Sequence, residues 1–173
     1  NMAFVLNPLG RSEEALPYYE ESLKISRRTL GNDHPDTLSS INNMGAVLGH
    51  LGRSEEALPY YEESLKGRRR ILGNDHPDTL VAINNMGAVL GSLEQYEKAK
   101  PLAIECEQRN SSVYGPSHQE TLDAVELLIG LYDGWHEAEP SDGHDLEAQK
   151  WRNELTRRTE AATGTALETT QSQ

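Results

Sequence analysis

The stretch GNDHPDTL, Gly31 to Leu38, returns letter for letter at Gly73 to Leu80, 42 residues further along the chain. The same shift aligns much more than this one segment. RSEEALPYYEESLK from Arg11 recurs from Arg53, and INNMGAVLG from Ile41 recurs from Ile83. A looser third copy keeps the step, with EQYEKAKPL from Glu94 in the RSEEALPYY register and SHQETL from Ser117 in the DHPDTL register. A fixed period of about 20 to 50 residues marks stacked supersecondary units, none of which covers its apolar face alone.

Within one period the apolar residues fall at steps of three and four. Leu38, Ile41, Met44, Leu48 and Leu51 form one stripe on a helix, and Ala57, Tyr61, Leu65 and Leu72 form another. Gly52-Arg53-Ser54 makes the turn between them, and Ser54 is expected to cap the second helix ahead of Glu55 and Glu56. Gly73 is a helix stop, Asp75 or His76 caps the next helix, and Pro77 presets φ in its first turn. In the third copy Ser117 to Glu120 reads as a capping box. The opening stretch is therefore helix punctuation: a stop, a cap and a restart. His34, His76 and His118 recur with the period, one to each loop, which suits turn residues and not the three or four converging ligands that zinc needs.

Composition narrows the partners. With 16 Lys and Arg against 28 Asp and Glu, a net charge of −12 opposes binding to nucleic acid. Arg27, Arg28 and Arg68 to Arg70 close second helices, where the helix dipole favours cations. No apolar run reaches the roughly 18 residues of a membrane span. The single cysteine, Cys106, excludes an intrachain disulfide, so a reducing compartment such as the cytoplasm is expected. Asn1-Met2 stands in the register of Asn43-Met44, so the chain reads as a fragment that opens inside a repeat.

These motifs, in this order, carry a family resemblance. Asn-Met-Gly-x-x-Leu on the first helix, Gly52 in the turn and Ala57, Tyr61 and Leu65 on the second resemble the tetratricopeptide repeat, whose usual period is about 34 residues. The 42-residue form, with INNMGAVL, EEALPYYEESL and LGNDHPDTL, resembles the kinesin light chain type. Ser22 and Ser64 depart from the alanine preferred there, Glu94 from the turn glycine, and Ala103 from the second-helix tyrosine. Pro17, Pro59 and Pro101 lie inside second helices, where each removes one backbone bond, and are expected to bend the axis. The resemblance implies an all-α, right-handed α-solenoid of antiparallel helix pairs over residues 1–158, divided as 1–33, 34–75, 76–117 and 118–158. The last of these is a divergent capping repeat that ends in a helix from Asp145 to Arg158 carrying Leu146, Trp151 and Leu155. Residues 159–173 have almost nothing to bury and are expected to be disordered.

The functional reading comes from the other face of the first helices. Steps of three and four gather Ser39, Asn42, Asn43, Ala46 and His50 in one copy and Val81, Asn84, Asn85, Ala88 and Ser92 in the next. A solvated face in so charged a chain should carry Glu and Lys, which are also better helix formers than Asn. In the resembling family this face lines a concave groove that takes an extended peptide, with asparagines at the positions of Asn43 and Asn85 holding its main chain. The resemblance carries that role to Asn42, Asn43, Asn84 and Asn85, and less firmly to Asn1, with Arg28 and Arg70 at the groove edge for an acidic guest. The competing assignment is that the amides tie neighbouring repeats together. Beyond the third repeat the stripe becomes Asp123, Glu126, Leu127, Gly130 and Gly134, so the groove is expected to end there.

His136, His144, Asp142 and Asp145 gather in the following loop, but in no metal-motif order, so neither a metal nor a cofactor is expected. Phosphate loop, nucleophile elbow and CxxC are all missing from the sequence, which argues against an enzyme. Two functions remain: a peptide-docking module within a larger signalling or scaffold protein, or a segment that self-associates through Met2, Val5 and Leu6 at its truncated start.

Overall fold

The computed structural model describes residues 12–170, with side chains from 13 to 163. The described residues form seven helices and no strand: α1 (Ser12–Leu30), α2 (Pro35–His50), α3 (Ser54–Leu72), α4 (Pro77–Ser92), α5 (Tyr96–Tyr114), α6 (Gln119–Ala138) and α7 (His144–Thr170). Asn1, Met2, Val5 and Leu6, to which a guest contact and a self-association edge were assigned, lie outside the described residues.

The chain divides into two compact units, residues 1–93 and 94–173. The division falls at the turn inside the repeat expected over 76–117, not at a repeat boundary. In the first unit each helix packs on the next, and α2 and α4 also touch side by side. Leu38, Ile41, Met44 and Leu48 of α2 are buried with Ala57, Tyr61 and Leu65 of α3, so the two predicted stripes form the core except at their ends, where Leu51 and Leu72 are half-buried. Ser64, where the family prefers alanine, is fully buried and donates its hydroxyl to the Leu38 carbonyl at 3.1 Å. Gly67 is needed for the same approach, because a Cβ there would collide with the Leu38 side chain. In the second unit α6 packs against both α5 and α7.

The opening motif does what its letters imply. Gly31 and Gly73 take φ of 85° and 84°, a left-handed conformation that glycine adopts without strain. His34, His76 and His118 are the N-caps, and each Nδ1 accepts from the backbone N–H two residues on, at 3.2, 3.2 and 3.3 Å. Two expected caps are corrected. Arg53, not Ser54, precedes α3, and its guanidinium is held by Glu56 at 2.6 and 2.7 Å. Ser117 caps nothing, because its hydroxyl donates to the Arg158 carbonyl at 2.9 Å. Pro17, Pro59 and Pro101 sit inside helices that continue through them.

The last helix also differs from expectation. Leu146 is 64% exposed, and Ala148 is the buried residue of its first turns. Arg158 reaches Glu107 of α5 at 2.8 Å, both side chains nearly buried, and meets Glu154 at 2.6 Å. Helical backbone continues past Thr159 to Thr170, although residues 159–163 are exposed. Extending an existing helix avoids the cost of nucleation, so alanine-containing sequence can continue it beyond its last packed turn.

Candidate docking face

The predicted uncharged stripe splits by burial. On α2, Asn43 and His50 are exposed, Ser39 and Ala46 are half-buried, and Asn42 is only 8% exposed. On α4, Val81, Ala88 and Ser92 are exposed while Asn84 and Asn85 are half-buried. Helix periodicity explains the exposed members, which lie opposite the apolar stripe, whereas Asn42 is next to Ile41 and is covered.

The four asparagines do not act alike. Asn85 Nδ2 donates to Asn42 Oδ1 at 3.1 Å, joining α4 to α2. This pair fits the alternative assignment of tying neighbouring repeats, because a buried amide left unpaired is costly. Asn84 is also engaged. Asn43 is exposed, and none of the described residues bonds to its amide.

Beside this stripe lies an open recess of about 200 Å³, lined by Gly49, Ser54, Tyr61, Asn85, Ala88 and Ser92 among others. Three of the predicted residues thus share one concavity. Tyr61 is 7% exposed and burial pushes its phenol up to about 12, so it stays neutral. Gly45 lets that ring lie against α2, where a Cβ would sit 3.0 Å from Tyr61 Cε1. The Ser92 and Ser54 hydroxyls are hydrogen-bonded at 2.9 Å across the rim.

The arginines are not gathered here. Arg70 is ion-paired with Asp33 of the α1–α2 loop. Arg28 lines a different recess, of about 570 Å³, with Leu23, Lys24 and Arg27 of α1, Met44 of α2 and Tyr60 of α3. Arg27 spans from α1 to Glu63 of α3 at 2.7 Å.

One residue that the periodicity did not single out matters to the scaffold. Arg68 is 5% exposed and donates to the Asp78 carbonyl at 2.5 Å and to Ser39 Oγ at 3.3 Å, linking α3 to α4 and α2. Burial lowers its pKa, and the Asp78 carboxylate opposes that shift. Asn110, one period on, makes the matching bond to the Glu120 carbonyl at 3.1 Å. The signal was the shared register of positions 68 and 110, hidden because the residue type changes.

Residues 1–69 and 36–112 each match the family model described as tetratricopeptide repeat. Solved structures share the fold. BtubC (BKLC) from P. vanneervenii superposes with a TM-score of 0.77 at 22% identity, over 94% of this chain and 62% of that one. A kinesin light chain-like protein of Podosopora anserina with nearly identical TPR-like repeats gives 0.67 at 18% identity, over 93% of each chain. No curated protein matches the chain. The chain spans 62% of the length of BtubC.

Proposed function

Because the chain belongs to the tetratricopeptide repeat family, with 42-residue repeats of the kinesin light chain type, we propose that it is a non-catalytic docking module for an extended peptide segment of a partner protein. Repeats of this family generally mediate protein–protein interaction and are generally not catalytic. The face assigned to the guest is the outward stripe of α2 and α4: Asn43, Ala46 and His50 on one helix, Val81, Asn85, Ala88 and Ser92 on the other.

The observation that carries this reading is an uncharged, partly exposed stripe, with a recess beside it, on a chain of net charge −12. Short neutral side chains leave room for a second backbone, and an amide offers both donor and acceptor to it. Asn42 is assigned to the scaffold, since it is the buried member of the pair, whereas Asn85 stays half-exposed. Arg28 and Arg70 are not assigned to this face. At about 0.5–1.5 kcal/mol net for each hydrogen bond, a few amides and one recess support micromolar binding. No described helix is long and apolar enough to cross a membrane. We place the module in a reducing compartment such as the cytoplasm, within a larger signalling or scaffold protein.

Selection from a random peptide library tests the reading. Peptides that bind the wild type should weaken at least tenfold on Asn43→Glu/Ala88→Glu, two exposed positions whose change leaves the core intact. Equal binding to the double variant would remove this face from the function.

A further inference from the structure

The α6–α7 loop holds a second feature, unrelated to the docking face. Glu139, Asp142 and His144 each present a ligand atom, and the three atoms lie within 4.8 Å of one another. The sequence weighed Asp142 and His144 with His136 and Asp145; the fold replaces the latter two with Glu139. His136 Nδ1 instead sits 4.0 Å from Asp145.

Two observations separate this trio from a chance gathering of acids. The imidazole of His144 is fixed in place: it stacks on Trp135 with centroids 4.1 Å apart, and Trp135 in turn stacks on Tyr96 at 5.9 Å. In addition, His144 Nε2 is buried with no hydrogen-bond partner, although buried ring nitrogens normally have one.

We propose that Glu139, Asp142 and His144 bind one Zn²⁺ ion. A mixed set of one imidazole and two carboxylates suits zinc better than calcium or magnesium, which favour oxygen ligands alone. Three protein ligands leave the remaining position to water. Glu139 closes α6 and His144 opens α7, so the ion clips the terminal helix to the one before it.

Calorimetric titration of the chelator-treated full chain with ZnCl₂ tests this, with tryptophan emission of the Trp151→Phe chain as a second readout, since it then reports Trp135 and its stack on His144. The expected result is one site in the micromolar range, with a change in emission that saturates at the same ratio. Asp142→Asn and Glu139→Gln, both at exposed positions, should each weaken binding at least tenfold, and His144→Gln should abolish it, with helical content by circular dichroism unchanged in the two acid variants. If His144→Gln misfolds, the two acid variants decide the matter. No saturable binding, affinity unchanged in Asp142→Asn, or Mg²⁺ bound as tightly as Zn²⁺ would overturn the proposal.

Discussion

At the scale of the residue, Glu94 is the clearest exception to the repeat grammar. It stands where the earlier copy has Gly52, and it takes φ of 57°, whereas Gly52 takes 72°. A side chain in this left-handed region costs about 1–2 kcal/mol, part of which glycine returns through its freer unfolded chain. Glu94→Gly should therefore raise unfolding stability by about 1 kcal/mol in urea titration; a loss of stability would mean that the Glu94 side chain contributes something beyond its turn. The Asn42–Asn85 bond gives a second test. Each single alanine variant should cost about 1–2 kcal/mol and the double variant less than their sum, because removing one partner strands the other. Cys106 is fully buried, and burial pushes its thiol up to about 12, against a smaller opposing pull from Asn110. It should resist iodoacetamide in the native protein and react once the chain is unfolded.

At the scale of the element, helix starts matter most. The cap histidines each satisfy a backbone N–H that the helix leaves unpaired. His76→Ala should cost about 1 kcal/mol, and His76→Asn should recover most of it, as read by thermal unfolding. The terminal helix carries its own pH dependence. Glu154 has a depressed pKa, held down by the bonds from Arg157 and then Arg158. Its contribution to stability is complete above the ordinary carboxylate range and disappears as pH falls through the lowered value. Helicity of the second unit should accordingly fall on acidification in that range, and Glu154→Gln should flatten that part of the profile. Elements were also what the sequence disclosed best. Leu38, Ile41, Met44 and Leu48 repeat at helical steps, so burial follows from their spacing alone. Serine propensity points to caps at Ser54 and Ser117, but α3 starts one residue earlier behind Arg53, and at Ser117 the next residue, His118, has the better placed acceptor. Leu146 was misread because α7 has too few apolar residues to define a face, leaving Ala148 to fill it.

At the scale of the whole molecule, the 42-residue period made the helix pairs and the family legible before any coordinates, since a repeat states its own architecture. The candidate site was only partly legible. Periodicity put Asn43, Ala88 and Ser92 on the outward face, but the division of labour among the asparagines depends on the distance between α2 and α4, which no single-helix pattern contains. Arg28 and Arg70 were drawn to the groove by analogy, whereas local ion pairing and the α1–α3 recess decide where they lie. The central claim is that a guest lies along the neutral face of α2 and α4. It is tested most directly by following ¹⁵N-labelled protein by NMR as a library-selected peptide is added. The account expects the Asn43 side-chain amide and the backbone amides of Ala88 and Ser92 to shift, with Glu62 and Lys66 on the exposed side of α3 unmoved. Shifts confined to α3, or spread evenly over the chain, would contradict it.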